Sequence, residues 1–322
     1  MSTAQYLRKF SLLIGRDEGS ALDLSDLRIV FDIRRGDTQT PNSARVRIYN
    51  VSETTKQRIE YEFSRIVLQA GYEGNFGIIF DGTIKQVRRG RDSQTDTYLD
   101  ITAADGDSAY NFAVMNTTLA AGSTSADHVA AACTAMNPYG VTQGYVPPLP
   151  TNPLPRGKVM FGMARDFLAQ IARTAQTVWS IQDGRVVLIP ETSYMPGEIP
   201  VITSETGMVG LPEQTQNGIS IKMLLNPSIR IGTLLKIDNR SVQLRERSLN
   251  VKQQPDEAFI SEGNRLQDDG YYYVMIASHS GDTRGNEYYT EVICLAADVT
   301  VGFQNFADRQ AIPPEGVIKP WG

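Results

Sequence analysis

The chain has 322 residues, 41% hydrophobic and 21% charged, a composition that folds and a length that supplies two or three domains with cores of their own. Lysine and arginine number 31 against 36 aspartates and glutamates, so the net charge of −5 gives no overall positive field to hold a nucleic acid. Two histidines and two cysteines, Cys133 and Cys294 in apolar surroundings, exclude a disulfide framework and leave little material for a zinc enzyme or a Ser-His nucleophile.

Met1 to Leu13 has no apolar core or small-residue cleavage site of a signal peptide, and no uninterrupted apolar run reaches the roughly 18 residues that span a bilayer. Synthesis in a reducing cytoplasm is the expectation, with no membrane-spanning segment. Leu27, Ile29, Phe31 and Ile33 alternate with other residues, and Ala44-Arg45-Val46-Arg47-Ile48-Tyr49 repeats the pattern with both arginines on the opposite face. Both segments predict half-buried strands. Ser52 and Glu53 then cap a helix to about Tyr61, because a serine oxygen accepts orphan amide bonds and an acid suits the positive end of the dipole.

Strands resume with Ile66, Leu68, Ala70 and Tyr72, a Gly74-Asn75 turn, Gly77 to Val87, a polar tip from Arg88 to Thr95, and Tyr98 to Ala103. Residues 1–105 thus predict an antiparallel sheet or barrel with one helix, and the short turns disfavour a parallel, doubly wound sheet.

From 106 to 200 the pattern changes to a small α+β insertion. Thr124 or Ser125 caps a helix with Val129, Cys133 and Met136 on one stripe. The proline-rich stretch 145–155 makes neither ladder and reads as a stiff connector. A second helix, about Phe161 to Ala175, places Ala164, Phe167, Leu168, Ile171 and Ala175 together, and a hairpin turns at Asp183-Gly184. Residues 201–300 return to strands: Gly218 to Leu225, Ser228 to Ile237, Tyr271 to His279 and Glu287 to Ala296. This second unit, like the first, closes with a long hairpin and an Ala-Ala-Asp sequence, at 103–105 and 296–298, as a duplicated barrel would. Residues 301–322, with Phe303, Phe306 and Trp321, read as a docking arm or as a disordered terminus.

Chemical motifs are sparse. No P-loop or dinucleotide glycine triplet is present. His279-Ser280-Gly281-Asp282 lies on one extended segment whose neighbours face opposite sides, which suits a hairpin tip and not a catalytic line. Glu60, Glu62, Asp81 and Asp183 sit in helix or turn contexts as solvated acids, and Asp268-Asp269-Gly270 reads as a turn. No catalytic residue, metal or cofactor is expected, and the chain does not read as an enzyme. The cluster Lys85, Arg88, Arg89, Arg91 on a predicted hairpin suits a solvated tip or a contact with an acidic neighbouring subunit. Tyr271 to Tyr273 and Tyr288-Tyr289 suit core and interface, with a glycan-stacking platform as the other use of such a hairpin.

Asn152 to Leu168, Trp179 to Pro190, Asn226 to Asp238 and Tyr271 to Ala296 with its Gly-Asp-Thr-Arg-Gly-Asn tip resemble baseplate hub proteins of tailed phages. The resemblance implies two tail-tube-like β-barrel domains flanking a small helix-plus-hairpin domain, in a mainly β chain. It also implies a homotrimer whose six barrels imitate sixfold symmetry, placed in the virion tail baseplate. Implied partners are the tail tube or its initiator, a central spike, other baseplate proteins and DNA passing through without sequence preference. Arg88, Arg89, Arg91, Phe303, Phe306 and Trp321 are the expected partner contacts. The alternatives are a tail-associated glycan-processing enzyme, which needs two carboxylates about 5 to 9.5 Å apart in a cleft, and a glycan-binding adhesin.

Overall fold

The computed structural model describes residues 7–16, 21–191, 193–210, 212–215, 218–238 and 269–296. The first stretch contains β1 (Arg8–Gly15), β2 (Ala21–Asp23), β3 (Ile29–Gly36), β4 (Ser43–Tyr49), α1 (Glu53–Tyr61), β5 (Arg65–Tyr72), β6 (Asn75–Arg91) and β7 (Thr97–Ala104). Then come α2 (Asp107–Phe112), β8 (Val114–Leu119), α3 (Ser125–Met136), β9 (Thr142–Gln143), β10 (Lys158–Met163), α4 (Ala164–Thr174), β11 (Thr177–Gln182) and β12 (Arg185–Pro190). The last group is β13 (Val201–Ile202), β14 (Glu213–Thr215), β15 (Gly218–Leu224), β16 (Leu234–Asp238), β17 (Asp269–Asp282) and β18 (Tyr288–Ala296).

Alternation produces the strands as expected. In β3 the residues Ile29, Phe31 and Ile33 face inward, while Asp32 and Arg34 face out. Ser52 caps α1 by accepting from the Thr55 amide. Thr124 and Asp127 form a reciprocal capping box on α3. The β11–β12 hairpin turns on Asp183 and Gly184 at φ 52° and 69°, a two-residue connection that asks for left-handed backbone. The connector 145–155 contains neither helix nor strand.

Three corrections follow from the pairing. α4 begins at Ala164, not Phe161, because Lys158–Met163 pairs with β8 as a strand. β16 begins at Leu234; Ser228 to Thr233 makes turns instead. His279 is not at a tip but fully buried in β17, since the hairpin continues to Asp282 before turning.

The expected pair of closed barrels is also corrected. Among the described residues the main sheet is one open path of 13 strands in the order β14-β15-β18-β17-β3-β4-β7-β6-β5-β1-β2, with β16 on β17 and β13 on β16. No closed barrel is formed among the described residues. β3 spends one edge on β4 and the other on β17, so no edge is left for β1. The sheet nevertheless curls: Phe10 on β1 and Phe31 on β3 stack with ring centroids 5.5 Å apart. A core of Leu12, Ile33, Val46, Leu68 and Ile101 fills the curl, and Ile59 of α1 joins it. A second core lies between α3, α4, β11 and β12, and a third under β15–β18.

The two sheet units repeat one pattern. β3-β4-β7-β6-β5 and β14-β15-β18-β17-β16 have the same pairing order. Arg47 on β4 stands opposite Asp100, with its guanidinium 4.1 Å from the Tyr98 ring centroid. Lys222 on β15 stands opposite Glu291, with its ammonium 4.4 Å from the Tyr289 ring centroid. β6 shifts register by one residue against β7 between Ile84 and Gln86, as β17 does against β18 between Val274 and Ile276. Aligning these shifts sets Cys294 on Ala103, so the Ala-Ala-Asp repeat read from the sequence is two residues out of structural register.

Candidate assembly interface

The outward face of the first unit carries Asp32, Arg34, Arg45, Arg47, Arg88 and Asp100, set side by side by strand register. Asp100 accepts from Arg47 at 2.7 and 3.0 Å and from Arg45 at 2.9 Å. Burial opposes ionisation of Asp100, but these bonds hold its carboxyl below the usual range and raise the Arg47 guanidinium above its own. Asp100 and Asp32 offset part of the cationic charge of this face, two carboxylates against four arginines.

The basic cluster named from the sequence lies on the far half of β6. Arg89 reaches α1, bonding Glu60 at 2.7 Å and Glu53 at 3.2 Å, so it fastens a helix. Lys85 is 2.7 Å from Asp107. Arg88 and Arg91 are exposed, and neither has an ion pair among the described residues. β5 stops pairing with β6 at Thr83, leaving the edge of Gln86–Arg91 without a strand among the described residues. Beside it, Ile59, Tyr61 and Phe63 with Ile84 and Val87 line an open groove of about 270 Å³. Phe303, Phe306 and Trp321 lie outside the described residues.

A second surface is apolar. β8 and β10 form a two-stranded ribbon on which Val114, Val159 and Phe161 share one face, by register with Met163, Thr118 and Asn116. Val159 and Phe161 are each 74% exposed and the neighbouring Phe112 is 64% exposed, a concentration of apolar surface that marks interaction sites. Reading Phe161 as the start of a helix hid this face.

The β17–β18 hairpin behaves differently from its counterpart. Its far half pairs with β3 from Ile276 to Asp282, and its tip is bound to the first unit. Arg8 donates to the Gly285 and Asn286 carbonyls at 2.7 and 2.9 Å, and Arg28 pairs with Asp282 at 2.8 Å. Tyr272, Tyr273 and Tyr288 are buried, the core use expected for them. A Cβ on Gly281 would come within 2.6 Å of the Phe31 ring, so glycine lets the hairpin lie flat there.

Where the insertion meets both sheet units, the chain buries a polar junction. Arg35 pairs with Asp183 at 2.9 Å, and Asn42 donates to Gln182 at 2.9 Å. Asp105 accepts from the Asp183 and Gly184 amides at 2.6 and 2.9 Å, fixing the β11–β12 turn. Burial pushes the Asp105 carboxyl up to about 6, against the amide bonds and Arg35 that favour its charge. A raised acid binds its proton more tightly when folded, so its stabilising share is complete below pH 3.8 and is lost as pH rises through 6. Unfolding midpoints of Asp105→Asn and the parent chain are expected to shift relative to each other by roughly 3 kcal/mol in the variant's favour between pH 4 and 7. A constant difference across that range would contradict this assignment.

Among the described residues no group of His, Cys, Asp and Glu side chains is placed to hold a metal, and no helix is long and apolar enough to cross a membrane. No protein-family model matches the sequence, and no curated protein does either. Solved structures do match. The 43 kDa tail protein of prophage MuSo2 from Shewanella oneidensis aligns with a TM-score of 0.55 and 9% identity, covering 89% of this chain and 98% of that one. A tail protein from Neisseria meningitidis MC58 aligns with a TM-score of 0.54 and 12% identity, covering 91% and 97%. At such identities the likeness is one of backbone architecture. The chain shares its fold with these two tail proteins.

Proposed function

We propose that this chain is a structural protein of a phage tail: a homotrimeric baseplate hub that joins a sixfold tail tube to a threefold central spike and lines the channel through which DNA leaves. It acts by assembly rather than catalysis. The observation that carries the reading is the repeated five-strand pairing order within one chain of tail-protein fold. Three chains with two equivalent units each present six similar surfaces to a tube while keeping threefold symmetry for a spike. The Val159 and Phe161 ribbon supplies the kind of surface that assembly covers.

Light scattering on the purified chain is expected to give three times 35.6 kDa, and negative-stain images are expected to show rings. A mass of 35.6 kDa at every concentration, without rings, would overturn the hub.

A further inference from the structure

The β8–β10 ribbon is apolar on both faces, and the insertion's core uses one of them. Met115 and Met160 are buried in that core with Val129, Leu168 and Trp179. The other face presents Val114, Val159 and Phe161, and is continued by Phe112 and by Tyr139, whose hydroxyl donates to the Phe112 carbonyl at 3.1 Å. Exposure runs from 41% at Tyr139 to 74% at Val159 and Phe161, so the described elements of the chain leave this face to solvent. An apolar patch of this kind on a folded chain marks an interface.

The sequence also contains apolar side chains in need of such a surface. β18 ends at Ala296, and residues 297–322 lie outside the described residues. Val299, Val301 and Phe303 alternate with Thr300 and Gly302, the period that sets one apolar face of an extended chain against a flat ribbon. Phe306, Ile312 and Trp321 follow, and Pro313, Pro314 and Pro320 exclude a continuous helix or strand through the last stretch. A segment shorter than about 40 residues rarely builds a core of its own, so these side chains depend on a surface made elsewhere. The segment sets out beside the insertion, because Leu295 packs with Val187 and Ile189 of β12. At about 3.3 Å per extended residue it reaches up to roughly 85 Å, against roughly 35 Å across a domain of the insertion's size, enough to pass from one copy to the next.

We propose that residues 299–321 of one copy lie on the β8–β10 ribbon of the next, with Phe303, Phe306 and Trp321 seated among Phe112, Val159 and Phe161. The proposal rests on the homo-oligomer reading above and names the contact that ties neighbouring copies together. The ribbon belongs to another copy because the described elements of its own chain leave it uncovered. An arm given and an arm received by every chain is a contact between unlike surfaces, and such contacts close into a ring when the rotation permits.

Replacing Phe161 by p-benzoylphenylalanine in the full chain reads the occupant directly. Illumination is expected to give covalent products of two and three chains, with the linked peptide falling within 299–321. Linkage to that segment inside a single chain overturns the exchange between copies, and linkage to any other segment overturns the arm as occupant. Phe161→Asp, and separately Phe303→Asp with Phe306→Asp, are each expected to raise the concentration at half-assembly at least about tenfold, while Phe161→Leu keeps it within about twofold. Phe161 is exposed, so Phe161→Asp is expected to leave the urea midpoint of the dissociated chain unchanged, which separates loss of contact from loss of fold. A wild-type oligomer that neither aspartate variant weakens overturns this contact and leaves the oligomer standing. A wild type that stays at 35.6 kDa at every concentration overturns the oligomer itself.

Discussion

Tyr288→Ala is expected to lower the unfolding free energy by about 4 kcal/mol, the cost of emptying a large buried aromatic site. Tyr288 is 1% exposed and makes edge-to-face contacts with Phe31 and Tyr72, at centroid distances of 6.0 and 5.7 Å. Its hydroxyl donates to the Lys9 carbonyl at 2.6 Å and accepts from the Gly71 amide at 3.3 Å. Arg8 lies 5.0 Å over the ring. One side chain from the second unit therefore bridges β1, β3 and β5 of the first, in the gap left because β17 occupies the edge of β3.

Tyr288→Phe separates shape from polarity: keeping the ring and losing both hydroxyl bonds is expected to cost about 1 to 3 kcal/mol. Chemical denaturation followed by intrinsic fluorescence reads both values. Hydrogen exchange at Arg8 to Leu12 adds a local readout, and faster exchange there in Tyr288→Ala is expected even under native conditions. A loss below 1 kcal/mol in Tyr288→Ala would show that the hairpin is held without this residue.

Side-chain alternation made most strands legible, because a period of two places one face in the core whatever lies beside it. The Ser52 cap and the Asp183-Gly184 turn were legible for the same local reason. Partner choice was not. β3 and β17 are separated by over two hundred residues, and nothing in Ile29–Gly36 says that its second edge belongs to Ile276–Asp282. That pairing replaces the expected ring closure and buries His279. The duplication had a true signal, Tyr98-Leu99-Asp100 against Tyr289-Thr290-Glu291, each opposite a cation. Ala-Ala-Asp was more conspicuous in one dimension but falls at different strand positions. Of the basic cluster, composition showed only the run of cations, and pairing divides its members: Arg89 fastens α1, whereas Arg88 lies on the part of β6 whose outer edge has no strand among the described residues.

His279 makes the chain sensitive to acid. Its ring is fully buried, with Nδ1 2.9 Å from the Thr290 hydroxyl and Nε2 without a hydrogen-bond partner among the described residues. Burial pushes the imidazole down to about 3, and the Arg35 charge acts in the same direction. The unfolded chain takes up the proton near pH 6.5, so between pH 6.5 and 3 the unfolded state holds more protons. Stability from neutral His279 is complete above 6.5 and falls by about 5 kcal/mol as pH drops to 3. Asp105 acts in the opposite direction over part of this range, so the parent chain alone mixes the two. Comparison with His279→Gln isolates one of them, because Asp105 is present in both proteins and glutamine does not titrate. Between pH 7 and pH 4 the urea midpoints are expected to diverge by the equivalent of about 3 kcal/mol, with the variant losing less. Parallel pH profiles would mean that His279 is reached by solvent and protonated in the folded chain, contradicting the β3–β17 seam that buries it.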